Sequence, residues 1–280
     1  MDIIKVLQEE LQIKYQQAEA AVRLIDEGNT IPFIARYRKE MTGALDDEVL
    51  RNLDERLRYL RNLEEKKEQV ISSIREQEKL TPELEAQIRA AMTQVAVDDL
   101  YRPYRPKRRT RAMMAKEKGL EPLADEIARQ QTDVPVEQLA KAYVSEEKGV
   151  ASADEAVAGA KDILAERISD NAVYRTYIRR ATMEQGMISS AARDEKESTV
   201  YEMYYHYTEP VKRCLGHRVL ALNRGEKEKI LTVKVEAPEE QILRYLEKQT
   251  ITRDNRYTTP VLREVTADSY NRLIAPAIER

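Results

Sequence analysis

Apolar side chains recur at helical spacing along most of this chain. Ile3, Val6, Leu7 and Leu11 share one face of a helix over residues 2–12, because positions three and four apart meet on a 3.6-residue turn. Tyr15, Ala18, Val22 and Ile25 repeat the pattern in a second helix, and Gly28 fits the left-handed position just past its end. Thr30-Ile31-Pro32 opens a third, which carries Phe33, Ile34 and Tyr37 and ends near Gly43; proline is tolerated in a first turn, where its missing N–H has no intrahelical partner. These short helices read equally as a helix-turn-helix unit or as an ordinary small bundle. Asp46 caps a long amphipathic helix reaching about Glu78. Its Leu50, Leu53, Leu57 and Leu60 keep heptad spacing, but the stripe then drifts through Leu63, Val70, Ile71 and Ile74, which argues against a sustained coiled coil.

Thr81-Pro82 gives a cap followed by proline, starting a helix that ends near Val97. Short helices follow at Met113–Lys118 and Pro122–Gln131, split at Gly119, with another after Pro135. Ser152-x-x-Glu155 is a capping box opening a helix to about Ser169. The next holds Val173, Tyr177 and Ile178 and stops at Gly186. Residues 187–199 are polar and aperiodic and read as a connector. Beyond it Tyr201, Tyr204, Tyr205 and Tyr207 cluster, and His217 to Gly225 predicts a short helix with a glycine stop. Lys229 to Glu236 alternates Ile230, Thr232 and Lys234 with Leu231, Val233 and Val235, the one clear strand pattern. Helices over about 238–249 and 260–280 are separated by a polar turn at Thr252 to Asn255. The last pattern runs on without a stop signal, so the sequence is expected to continue. The expected fold is all-α in the main: an elongated helical scaffold with one minor strand or hairpin near 229–236. Its expected divisions are a helical domain over 1–186, the connector at 187–199 and a mixed helical segment over 200–280.

Composition agrees with helices. Of 280 residues only 8 are glycine, while 35% are charged. The single cysteine, Cys214, rules out an internal disulfide and a thiolate metal cluster. That usage and the lack of an apolar run long enough to span a bilayer lead us to expect a cytoplasmic chain with no membrane partner. His206 and His217 have no metal-ligand spacing around them, glycines occur singly rather than in a phosphate loop, and no serine sits in a nucleophile elbow. Neither a metal nor another cofactor is expected, nor an enzyme. Cys214 lies close to His217, a nucleophile pattern on paper; a structural cysteine beside a surface histidine is the commoner arrangement.

Charge supplies the one concentrated signal. In Tyr101-Arg102-Pro103-Tyr104-Arg105-Pro106-Lys107-Arg108-Arg109-Thr110-Arg111, six of the ten residues from Arg102 onward are cationic, on a chain of formal net charge -3. Such a strip can lie along a polyanion backbone, with Arg102, Arg105, Lys107, Arg108, Arg109 and Arg111 at phosphates and Tyr101 and Tyr104 stacked on bases. Two prolines hold it extended, so less freedom is lost on binding. It can equally be architecture, its arginines paired with carboxylates such as Asp98 and Asp99. Arg36 and Lys39, three apart on the third helix, form a second basic patch; ordinary solvation is the competing reading.

Four stretches resemble one family. Gly28-Asn29-Thr30-Ile31-Pro32-Phe33-Ile34-Ala35-Arg36-Tyr37-Arg38-Lys39-Glu40 is similar to the signature near the start of the Tex family of bacterial transcription accessory proteins. Asp99 through Arg111, continuing to Ala124, resembles a second signature; Gly159 to Asp170 and His217 to Glu226 resemble two more, in family order. The resemblance implies a mostly helical region with a helix-turn-helix-like part, related to the core of a eukaryotic transcription elongation and histone-chaperone factor. It also implies that full-length members continue into an inert RNase H-like domain, a helix-hairpin-helix unit and an OB-fold RNA-binding module beyond this chain. The expected function is that of a non-catalytic transcription accessory factor holding single-stranded RNA or DNA, RNA preferred, by its phosphates without sequence preference. The alternative is a scaffold that braces further modules and docks RNA polymerase or elongation factors.

Overall fold

The computed structural model describes residues 1–196 and 198–279. They form two compact units, Met1–Tyr104 and Arg105–Arg280. The first is helical throughout: α1 (Ile3–Leu11), α2 (Tyr15–Asp26), α3 (Ile31–Tyr37), α4 (Lys39–Thr42), α5 (Asp47–Glu76), α6 (Pro82–Ala90) and α7 (Gln94–Tyr101). Side-chain caps fix the starts. Asp2 accepts from Lys5 N, Asp46 from Val49 N and Thr81 from Leu84 N, each satisfying a donor that a helix leaves orphaned.

The drifting stripe of α5 has a packing cause. Leu50, Leu53, Leu57 and Leu60 bury against Leu7, Ala18, Leu24 and Ile34 of α1–α3. From Leu63 onward the stripe turns to a different partner, meeting Ile88, Ala91 and Val97 of α6 and α7. One helix thus serves two apolar clusters at different angles. It also buries Lys67, whose Nζ lies 2.7 Å from Glu64 Oε1 and donates to the Arg89 carbonyl at 2.9 Å.

Two breaks differ from the sequence expectation. The third helix is interrupted at Arg38 (φ -129°) before α4 and the left-handed Gly43. The helix expected from Pro82 to Val97 stops at Ala90, because Ala91 turns extended and Thr93 caps a new helix by accepting from Ala96 N. The apolar period continues through this break, which is why it is invisible in the pattern.

The second unit contains α8 (Arg111–Glu117), α9 (Glu121–Arg129), α10 (Val136–Ala140), α11 (Ala153–Ser169), α12 (Ala172–Gln185), β1 (Met187–Ala192), β2 (His206–Pro210), α13 (Gly216–Lys227), β3 (Leu231–Glu236), α14 (Glu239–Thr250), α15 (Thr258–Asp268) and α16 (Ala275–Glu279), with a π-helical stretch at Ser269–Ile274. The fold is predominantly helical, as expected, but its strand content is larger. The segment 187–199, expected as a connector, contributes the middle strand of a three-stranded antiparallel sheet in the order β2-β1-β3. Ile188 pairs with Glu209 on one side and Val235 on the other. Glycine does not stop α13 at 225; the helix runs through it, for a reason taken up below.

Helix α11 is the hub of this unit. It packs against α8, α9, α10, α15 and the π-helical stretch, burying Ala156, Ala160, Ile163 and Leu164 in the largest apolar cluster. Gly159 permits the approach of α8: a Cβ there would stand 2.4 Å from Leu120 Cδ1 and 3.2 Å from Ala115 Cβ. Val in its place must push the following loop away, and overpacking of this kind costs about 1–3 kcal/mol. Gly159→Val is therefore expected to lower the urea midpoint of the chain; an unchanged or higher midpoint would show that the contact gives without cost.

Candidate nucleic-acid interface

The basic strip begins on a helix. Tyr101 is the last residue of α7, its hydroxyl 2.9 Å from Ser73 Oγ on α5. Tyr104 closes a turn on the Tyr101 carbonyl at 2.9 Å, and its own carbonyl accepts from Gln77 Nε2 at 3.0 Å. Both rings are half-buried against the α5–α7 cluster. Part of each ring is thus taken up by packing within the first unit. At the other end Thr110 caps α8 by accepting from Met113 N at 3.1 Å. The strip is thus pinned at both ends by ordinary helix chemistry.

Between the pins the cations divide. Lys107 is held: its ammonium bonds Asp170 and lies 3.5 Å from Glu166 Oε1, at the C-terminal end of α11. A helix C-terminus favours a cation in any case. Arg102 is half-buried and engaged within the protein. Arg109 meets Glu117 at 2.8 Å, yet its side chain stays 70% exposed. Arg105 and Arg108 are exposed and among the described residues form no hydrogen bond or ion pair; Arg111 is exposed as well, and its charge, after the Arg272 hydrogen bond, helps hold the Asp268 carboxyl below its ordinary range. Of the acids expected as internal partners, Asp98 pairs with Lys66 at 2.7 Å, and Asp99 is buried and engaged.

The anchoring end of α11 is a charge network. Arg167 reaches Asp125 at 2.6 Å and Glu121 at 3.0 Å. The Arg167 hydrogen bond holds the Glu121 carboxyl below its ordinary range, with burial opposing. These carboxylates are already compensated and do not compete for the strip.

Arg36 and Lys39 lie in the first unit, exposed and without ion pairs among the described residues. The break at Arg38 puts them on α3 and α4, so the shared helical face expected from their spacing does not form. Arg38 itself lies over the Phe33 ring at 5.1 Å, and Tyr37 is 65% exposed beside it.

Other chemistry is sparse. Burial, then the Glu209 carboxylate, raises the Cys214 thiol to about 11, which leaves it protonated and a donor rather than a nucleophile. Among the described residues no three His, Cys, Asp or Glu side chains are grouped to hold a metal ion. Among the described residues no helix is long and apolar enough to cross a membrane. A pocket of about 270 Å³ between α12, β3 and α16 is lined by Ile178, Tyr270 and Ile278 with Glu236, Glu239 and Glu279; its carboxylates carry the same sign as a phosphate. Missed at the sequence level is the outer face of α13, where His217, Arg224 and Lys227 stand exposed with Lys212, Arg213 and Lys229 at its ends. Helical spacing could have found it, had the inward face been known.

Comparison with known proteins adds an independent finding. Residues 1–75 match the model of the Tex-like protein N-terminal domain, and residues 131–279 match that of the Tex central region-like family. The strip lies between these two matches. An uncharacterised Bacillus subtilis protein, YdcI, is 48% identical over 97% of this chain and 38% of its own length. The transcriptional accessory protein Tex of Neisseria gonorrhoeae is 43% identical over 83% of this chain and 31% of its own. A human S1 RNA-binding domain-containing protein 1 is 28% identical over the whole chain and 29% of its own length. The chain spans about a third of the length of these relatives.

Two outcomes check this geometry. Lys107→Met leaves Glu166 and Asp170 without their cation, and a charged hydrogen bond of this kind contributes about 1.5–3 kcal/mol. We expect a loss of that order in urea unfolding and faster amide exchange over residues 104–110; wild-type exchange there would mean that Lys107 anchors nothing. For Cys214, only ~0.1% of a thiol titrating near 11 is thiolate at pH 8. Iodoacetamide should label the native chain at least tenfold more slowly than the urea-unfolded chain; comparable rates would reinstate the nucleophile.

Proposed function

The chain belongs to the Tex family, and from that premise we propose that it serves transcription as a non-catalytic accessory factor that holds nucleic acid by its backbone phosphates. One observation carries the reading: Arg105, Arg108, Arg109 and Arg111 stay exposed in a single short segment while the protein neutralises Lys107 beside them. A guanidinium presents a planar fork of donors that matches two phosphate oxygens, stays charged at every physiological pH, and is less tightly hydrated than an ammonium. A prolyl-stiffened segment pinned at both ends loses little freedom when a ligand lines up along it.

Phosphate contacts position a chain but carry no base information, so this surface takes nucleic acid without sequence preference. Single-stranded RNA is the favoured ligand, in keeping with the S1 RNA-binding name of the human relative. The exposed cations of the first unit, Arg36 and Lys39, are on this reading a separate pair of phosphate contacts. Arginines of this kind stabilise charge without supplying a nucleophile, base or metal ligand, which is why the role is binding rather than hydrolysis. On this reading the chain acts on nascent transcripts in the bacterial cytoplasm. A pure protein scaffold would need the strip neutralised internally, and the exposed arginines argue against that.

Binding of a labelled oligouridylate across a range of salt tests this. Four phosphate contacts on a single strand give a slope of log affinity against log salt of about -3, at roughly 0.7 per contact. Arg105→Ala/Arg108→Ala/Arg109→Ala should weaken binding at least tenfold at low salt and flatten the slope to about -1. Affinity and slope both unchanged would return the strip to architecture.

A further inference from the structure

We propose that α13 is a second nucleic-acid surface, a helix that enters the major groove of B-form duplex DNA. The inference goes beyond the phosphate-binding strip and rests on different residues.

The inward side of α13 is fixed by packing. Leu222 is fully buried, and Gly225 faces β3 so closely that a Cβ would stand 2.6 Å from Leu231 Cδ1 and 3.2 Å from Tyr201 Cδ1. Glycine is needed here for close approach, so the helix passes through it instead of stopping. Arg218 is drawn back against the sheet, donating to Glu209 at 2.6 Å and near the Tyr207 hydroxyl at 3.4 Å. At 3.6 residues per turn this inward set dictates the outward one. His217, Leu220, Asn223, Arg224 and Lys227 form one exposed face.

Within the helix that face places no carboxylate of its own: Glu226 aligns with Val219 on the flank, while Glu228, exposed just past the end, neutralises Arg224 at 2.9 Å and accepts from the Tyr201 hydroxyl at 2.9 Å, which leaves Lys227 as the open cation of the face. Lys212 and Arg213 precede the helix and Lys229 follows it, all exposed. At the centre sits Leu220, 72% exposed. A leucine held in water at the middle of a rigid helix, between an amide, an imidazole and cations, is poorly explained as a solvated surface.

The same mixture fits base edges. An asparagine side chain can pair with adenine N6 and N7, an apolar side chain meets the thymine methyl, and cations at both ends of a helix meet the phosphates that wall the groove. A helix of 12 residues is ~18 Å long, and the B-form major groove, roughly 12 Å wide, admits one. The A-form groove of duplex RNA is too narrow for side chains to read, so the committed ligand is DNA. Gly216 strengthens the fit: no atom lies within 4 Å of where its Cβ would be, so crowding does not require glycine there, and the bare first turn lets a phosphate approach the backbone.

The test uses the whole chain, a labelled mixed-sequence DNA duplex and the labelled oligouridylate. His217→Ala/Asn223→Ala/Lys227→Ala should weaken duplex binding at least tenfold and flatten its salt slope by about 1, the contribution of roughly one phosphate contact. Leu220→Ala should weaken it at least threefold with the slope unchanged, a signature that a charge contact does not give. Oligouridylate affinity should stay within twofold in both variants. Should the triple variant melt early, Lys227→Glu alone carries the comparison. The inference is overturned if the wild-type chain fails to bind the duplex, if the variants bind it like wild type, or if duplex and oligouridylate affinities fall together. Failure of the strip reading looks different: oligouridylate binding that ignores Arg105, Arg108 and Arg109 leaves duplex binding through α13 intact.

Discussion

Which cations a protein neutralises for itself decides which it can offer to a ligand. Here the decision rests on Lys107 and the carboxylates of Asp170 and Glu166 at the end of α11. One member of the strip is drawn in and partly buried, and its neighbours are held out by the same stroke. The chain has 50 acidic residues, so open arginines need a reason. Part of the reason is that nearby acids are already matched, Asp98 with Lys66 and Glu121 with Arg167. Part is geometric: within the second unit Lys107 is tied to the end of α11 and Thr110 is fixed as the cap of α8. An exposed ion pair contributes only about 0–1 kcal/mol, so leaving three arginines in water costs the fold little.

The helical frame was legible because each signal acts locally. Caps at Asp2, Asp46, Thr81, Ser152 and Asn171 all accept from first-turn amides, and apolar periodicity needs no knowledge of the partner. The misses share a cause. Strand β1 reads Met-Ile-Ser-Ser-Ala-Ala and lacks alternation, and in the fold its residues are mostly half-buried rather than alternately buried and exposed. The break at Ala91 hides inside a continuing apolar period, since Ile88, Ala91 and Val97 all still face the core. Gly225 reads as a stop only until Leu231 is known to lie against it.

The site divides along the same line. Charge density is a property of the sequence, so the strip could be found in it. Charge availability is a property of the fold: the partner of Lys107 lies 63 residues away. The half-burial of Tyr101 and Tyr104 is likewise a property of the fold, because a tyrosine beside arginines reads the same whether its ring faces solvent or α5. The outer face of α13 depended on tertiary structure more heavily still. Its spacing is plain in the sequence, but nothing there says which side of the helix the sheet takes.

Rigidity separates the two surfaces in what each can contribute. The strip reaches only phosphates, so it adds affinity that salt removes. Helix α13 is fixed on a sheet through Leu222 and Gly225, with Arg218 tied to Glu209 as a strut. A rigid helix discriminates by shape, because it fits a groove of one width and cannot adapt to another. Burying Leu220 in such a groove adds a term that salt does not screen. On the two proposed readings, an electrostatic surface and a partly apolar one would hold a single strand and a duplex by different physics, and each contact could be lost without the other.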